Sequence, residues 1–232
     1  MTNTVLITGA NRGLGLEMVR QYAESGWVVL ACCRDPDQST ALMDLAGIHA
    51  GVVLHKLDLS DLTGIDVLSR TLKDTTIDVL INNAGIYGDN QSVAFGSMDY
   101  ALWQQVLRVN TQAPLKMAEA FLPQLRRSSR KLIVVLTSLM GSIADNRGGG
   151  SIMYRSSKAA LNAAMRSLSI DLKPSGIGVL ILHPGWVKTD MGGANAPILP
   201  EESVTGLRKI IDQFTLEDTG RFLDFRSKEL PW

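Results

Sequence analysis

Apolar residues in this chain gather into short runs separated by longer amphipathic stretches. The runs Thr4 to Ile7, Trp27 to Cys33, Val52 to Leu57, Ile77 to Asn82, Leu132 to Ser138, Ile177 to Leu182 and Arg221 to Asp224 mostly lack polar alternation. Continuous Val, Ile and Leu runs mark strands covered on both faces, as in a parallel sheet. Helical periodicity fills the intervals: a first helix to about Ser25, then about Asp37 to Ala46, Leu62 to Lys73, Tyr100 to Arg126, Ser151 to Leu172 and Glu201 to Gln213. Strand and helix alternate throughout, without a linker, repeat or low-complexity segment. The pattern predicts an α/β fold: one doubly wound domain over residues 1–232, with a mostly parallel seven-stranded sheet and helices on both faces.

Composition narrows the class. The 232 residues are 45% apolar, enough for a sizeable core, and the net charge of zero gives no pull toward nucleic acid. The densest basic cluster, RRSSRK from Arg126 to Lys131, falls where a long helix should end, and cations suit that end of the helix dipole. No apolar stretch reaches the roughly 18–20 residues of a membrane span. The start, MTNTVLITGA, has neither a charged leader nor a cleavage pattern. Cys32 and Cys33 are adjacent on one strand and point to opposite faces, which disfavours a mutual disulfide and fits a reducing compartment. A cytoplasmic protein is expected. His49, His55 and His183 are scattered and no metal-ligand spacing occurs, so no metal is expected. No Gly-x-Ser-x-Gly elbow supports hydrolysis.

Two motifs carry chemistry. TGANRGLG, Thr8 to Gly15, stands between the first strand and the first helix. Its three glycines, Gly9, Gly13 and Gly15, let a ligand approach the backbone, and the helix N-terminus suits a pyrophosphate. This predicts a Rossmann-type dinucleotide site. The second motif is YRSSK, where Tyr154 and Lys158 stand four residues apart and share a helix face. A tyrosine near pKa 10 is a poor proton donor at neutral pH, and a neighbouring ammonium favours its phenolate. Lys158 is therefore expected to lower the pKa of Tyr154. Ser138 ends a buried strand, where open α/β sheets place ligands, with Ser142 as its local competitor. Asn110 interrupts a long helical pattern shortly before Pro114.

TGANRGLG, NNAG (Asn82 to Gly85), Ser138, YRSSK and HPGWVKTDM (His183 to Met191) come in the order found in the classical short-chain dehydrogenases/reductases, and the chain resembles that family over nearly its whole length. ACCRDP (Ala31 to Pro36), the glycine-rich insert Gly148 to Gly150 and the terminal ELPW resemble the subgroup of C-factor and sniffer-type carbonyl reductases. The resemblance implies a catalytic set of Asn110, Ser138, Tyr154 and Lys158. Tyr154 would be the general acid, Ser138 a donor to the substrate carbonyl and Lys158 a holder of the nicotinamide ribose. Asn110 would keep a water beside the lysine. Cofactor contacts are expected from Gly9, Asn11, Arg12, Gly13, Leu14 and Gly15 of the turn, and from Arg34, Asp58 and Leu59. Asn82, Ala84 and Gly85 would form the floor. Pro184, Gly185, Val187 and Thr189 would cover the nicotinamide.

Cofactor choice turns on charge. Cys33 stands where an acid would bind both ribose hydroxyls, and Arg34 follows it, with Arg12 a second cation aimed at the same region. Two guanidiniums without an acid favour a 2′-phosphate, hence NADP(H) over NAD(H). Asp35 as the ribose partner is the alternative. A substrate loop is expected at about 186–213. Ile86, Met140, Trp186 and Met191 are candidate apolar wall residues for an aldehyde or ketone. The resemblance also implies a homodimer or homotetramer through the helices around Asn110 and Lys158. The rival reading is a C-factor-type signalling or sensor protein whose dinucleotide is structural.

Overall fold

The computed structural model describes residues 2–89 and 95–232. Its strands are β1 (Thr4–Thr8), β2 (Val28–Cys33), β3 (Val52–Lys56), β4 (Val79–Asn82), β5 (Leu132–Leu136), β6 (Gly178–His183) and β7 (Phe222–Asp224). They form one sheet in the order β3-β2-β1-β4-β5-β6-β7, and every pairing is parallel. The helices are α1 (Gly13–Glu24), α2 (Thr40–Ile48), α3 (Leu62–Thr71), α4 (Tyr100–Leu107), α5 (Ala113–Ala120), α6 (Leu122–Arg126), α7 (Ile152–Leu172) and α8 (Pro200–Gln213). The chain winds outward from β1 to β3, then returns to β4 on the other side of β1. That reversal opens a crevice at the carboxyl ends of β1 and β4, where such sheets bind ligands.

Both faces of the sheet are buried, which is why the strands do not alternate. Val5 and Ile7 pack toward α1, α2 and α8, while Leu6 packs toward α3, α5 and α7. All three are fully buried. Each such side chain contributes roughly 1.5–3 kcal/mol by leaving water.

Three expected elements came out differently. The pattern from Tyr100 to Arg126 is not one helix: α4 ends at Leu107, a π-type turn spans Arg108–Gln112, and α5 and α6 follow with a break at Phe121. Pro114 has no N–H to give the carbonyl four residues back, that of Asn110, so regular α-helix cannot run through this point. The run ending at Ser138 leaves the sheet at Leu136, because the Ser138 hydroxyl accepts from the Met140 N–H and caps a 3-10 turn. The helix expected from Asp37 is instead a 3-10 turn, Pro36–Gln38, followed by α2.

The basic cluster does close helix ends, though not mainly its own. Arg130 donates to the Ile211 carbonyl in the last turn of α8 and pairs with Asp212 at 3.3 Å. Arg127 donates to the Lys73 and Thr75 carbonyls beyond α3. Of the expected substrate loop, residues 200–213 are α8, packed on α1 through the buried Val204, Leu207 and Ile211. Only the stretch up to Leu199 is loop. Among the described residues no helix is long and apolar enough to cross a membrane, and no cluster could hold a metal ion.

Candidate active site

A cleft of about 490 Å³ opens above the carboxyl ends of β1, β2 and β4. The glycine turn forms its crest. Gly9 has φ +66°, and a Cβ there would stand 2.9 Å from the Ala84 Cα; a Cβ on Gly15 would run into the Gly9 carbonyl oxygen. No side chain caps α1, and no acidic residue occupies its first turn. Its N–H groups and positive dipole end thus face the cleft unneutralised.

Asn83 holds this crest in place. Its side-chain amide donates to the Thr8 and Gly9 carbonyls at 2.8 and 3.1 Å, and the Asn83 and Ala84 N–H groups donate to the Thr8 hydroxyl. Asn82, the expected floor residue, lies one position before this brace. It continues β4 with its side chain buried, and it does not line the cleft. Strand parity decides between the neighbours, and the sequence does not state which parity faces the ligand.

On the adenosine side, Cys33, Arg34, Asp58 and Leu59 line the cleft, whereas Asp35 does not. Burial would raise the Asp58 carboxyl, but the Ser60 N–H and hydroxyl and the Arg34 guanidinium outweigh it and hold the group below its ordinary value. Arg12 lines the cleft too, yet its guanidinium reaches across to Asp190 on the opposite rim, at 2.9 Å. That partner was not anticipated. Both side chains are largely exposed, so the pair is a weak one, open to exchange for a phosphate.

Across the floor, Ala84, Gly85, Tyr154 and Lys158 line the cleft. Lys158 is 3% exposed, and its ammonium donates to the Leu136 carbonyl at 2.8 Å. Burial brings its pKa down to about 8. Tyr154 is 8% exposed, and burial pushes its phenol up to about 12; the nearby Ser138 hydroxyl opposes the rise and the neighbouring Tyr87 adds to it. The expected lowering by Lys158 is therefore not what the site displays. The ammonium lies 5.7 Å from the phenol ring centroid, and desolvation dominates.

Ser138 lies outside the cleft lining, and its hydroxyl accepts from the Met140 N–H. Its competitor Ser142 donates to the Trp232 carbonyl and accepts from the Asp145 N–H, a turn-forming role. Asn110, fully buried in the π-type turn, accepts from the Ile86 N–H and donates to the Ile86 carbonyl, both at 2.8 Å, and to the Ser157 hydroxyl at 3.0 Å. It braces the floor against α7.

Pro184 and Thr189 line the cleft, but Gly185 and Val187 do not. A Cβ on Gly185 would meet the Ile198 and Phe225 side chains, and Val187 bridges to Ile198, so both serve packing of the covering loop. Of the apolar wall, Ile86 and Met191 line the cleft. Trp186 is 56% exposed with its indole N–H on the Gly192 carbonyl, and Met140 stands beside the Ser138 cap. Tyr87 and Asp89, which the sequence reading passed over, both touch the start of α7.

Comparison with known proteins gives the family and fold relatives of the chain. Residues 3–197 match the family described as short chain dehydrogenase. The C-signal protein of Myxococcus xanthus is 46% identical over 156 residues, 67% of this chain and 93% of that one. The carbonyl reductase Sniffer of D. melanogaster superposes over 100% of both chains with a TM-score of 0.92 and 35% identity. The NADPH-bound carbonyl reductase from chicken fatty liver does so over 100% of this chain and 99% of its own, with a TM-score of 0.92 and 34% identity.

Proposed function

This chain belongs to the short-chain dehydrogenase family, an oxidoreductase family, and from that premise we propose that it is an NADPH-dependent enzyme interconverting a carbonyl and an alcohol, with Tyr154 as general acid. The observation that carries the reading is the meeting of Tyr154 and the buried Lys158 at the floor of a cleft crested by the glycine turn, with Ser138 one residue beyond the lining Thr137. The residues suit a dinucleotide. The glycine crest leaves backbone room, the uncapped α1 N-terminus would hold the pyrophosphate, and Arg12 and Arg34 would supply cations for a 2′-phosphate.

When bound, NADPH supplies the hydride. The chain's own part is the proton and the oxygen. Burial keeps the Tyr154 phenol protonated, so the proton is in place, and Tyr154 gives it to the carbonyl oxygen as negative charge develops there, with a neighbouring ammonium to favour the phenolate left behind. The Ser138 hydroxyl holds that oxygen in place. Lys158 lies within the same floor, with its ammonium on the Leu136 carbonyl, and would hold the nicotinamide ribose hydroxyls and favour the transient phenolate. Asn110 keeps the floor and α7 in register, and its carbonyl, which Pro114 cannot serve, is the acceptor for a water beside the lysine. Ile86 and Met191 give the substrate an apolar wall. The enzyme works as one domain, in the cytoplasm, as a dimer or tetramer; light scattering giving only a 25.2 kDa particle would remove the assembly from this proposal.

The test is oxidation of NADPH and NADH with a panel of aldehydes, ketones and diketones, in wild type and Tyr154→Phe. Turnover preferring NADPH and reduced on the order of 10²–10⁴-fold in the variant is expected. Preference for NADH would sink the roles of Arg12 and Arg34 and spare the chemistry. The likeness to C-signal favours a second reading, a signalling protein with a structural dinucleotide. Tight NADPH binding with no turnover on any compound, equal in both proteins, would decide for it.

A further inference from the structure

Helix α7 carries both Tyr154 and Lys158, and its own sequence does not close its N-terminus. Ser151, the N-cap residue, lies in the left-handed region at φ +47° and ψ +47°, and its side chain makes no capping hydrogen bond. Few non-glycine residues adopt that conformation. The first-turn N–H groups of a helix need acceptors, and here two of them find one more than sixty residues back along the chain. Asp89 Oδ1 accepts from the Met153 N–H at 3.2 Å, and Oδ2 accepts from the N–H of Tyr154 itself at 2.8 Å. A carboxylate at this end also complements the helix dipole.

The rest of the same short segment converges on the same turn. The Tyr87 hydroxyl is hydrogen-bonded to the Ser151 hydroxyl at 2.7 Å, which is why Ser151 is not free to cap. The Tyr87 ring packs on the Tyr154 ring with centroids 4.8 Å apart and planes tilted by 37°. One residue earlier, Ile86 is tied through Asn110 to Ser157, whose hydroxyl donates to the Tyr154 carbonyl at 2.8 Å. The segment begins at Gly85, in the cleft floor. Residues 85–89 therefore run from the floor directly to the backbone of Tyr154, from both sides of its peptide.

We propose that Asp89 is a positioning residue for Tyr154, with Tyr87 as the ring behind it. The carboxylate replaces the missing N-cap, fixing the rotation and the axial position of the first turn of α7. That sets where the phenol stands relative to the cleft floor. The proposal rests on Tyr154 being the general acid, and a reacting group displaced by about 1 Å loses on the order of 10²-fold in rate.

The experiment uses the full chain as wild type, Asp89→Ala and Asp89→Asn, labelled with ¹³Cζ-tyrosine. There are four tyrosines, and Tyr154→Phe assigns the line of interest. Expected in Asp89→Ala is a shifted or broadened Tyr154 line with the Tyr22 line, on the far face of the sheet, unmoved. Asp89→Asn, which keeps one acceptor oxygen, should fall between. In turnover, kcat should drop about 10-fold or more in Asp89→Ala with the KM for NADPH within about 3-fold, and Asp89→Asn should recover part of the loss. An unmoved Tyr154 line would overturn the proposal. So would loss of kcat and NADPH affinity together with movement of all the tyrosine lines, which is a folding defect. The resonance readout needs no substrate, so a wild type without turnover would reject the functional reading while the placement of Tyr154 is still decided.

Discussion

Tyr154 and Lys158 face the same floor and are driven in opposite directions by one cause. Burial disfavours the charged form of each, so the phenol rises to about 12 and the ammonium falls to about 8. In the free protein the tyrosine is therefore protonated across the working range, and the lysine is the group that titrates near neutrality. A lysine with pKa about 8 is charged below that pH and neutral above it. The kcat/KM for NADPH reports free-enzyme groups, so it should be level below pH 8 and fall above it with the loss of one proton. Lys158→Arg, charged throughout, should not decline in that range, whatever its absolute activity. A wild-type profile flat to about pH 10 would mean that burial does not control this lysine.

At the scale of elements, the glycine turn and the helices differ in what they tolerate. A Cβ at Gly15 meets a backbone oxygen, which no rotamer can avoid, so Gly15→Ala must displace α1 from the crest. NADPH affinity should fall at least about tenfold, measured by fluorescence titration. Asp61 is the contrast: it caps α3 by accepting from the Thr63 N–H at 3.0 Å and does not itself line the cleft. Asp61→Ala should cost about 1 kcal/mol in urea denaturation and leave NADPH affinity unchanged. If the two variants behave alike, the crest has no special role. The element most poorly read from sequence was the stretch from Tyr100 to Arg126. Periodicity there is continuous, but the Pro114 ring, which gives Asn110 its turn, outweighs it.

For the whole molecule, the clearest liability is His183, at the end of β6 opposite Asp224 on β7. Burial lowers its pKa to about 4, against the pull of Asp224, and its Nδ1 has no hydrogen-bond partner among the described residues. Its folded pKa lies below the unfolded value of 6.5, so the unfolded chain takes up the proton first. Stability is then full above pH 6.5 and declines as the pH falls toward 4, by about 3 kcal/mol from this group. His183→Gln should flatten that part of a urea-denaturation series across pH. A decline as steep as wild type would place the acid sensitivity elsewhere. The sequence by itself determined the strand–helix alternation, the crest at Gly9 to Gly15, and Tyr154 and Lys158 on one helix face, because each is a local consequence of periodicity or spacing. Only the tertiary structure decided that Asn83 rather than Asn82 holds the crest, that Arg12 reaches Asp190, and that Asp89 and Tyr87 close the start of α7. Those partners lie tens of residues or more apart along the chain. No local pattern encodes them, since they meet only when a sheet with β1 and β4 side by side brings loops from distant strands to one edge.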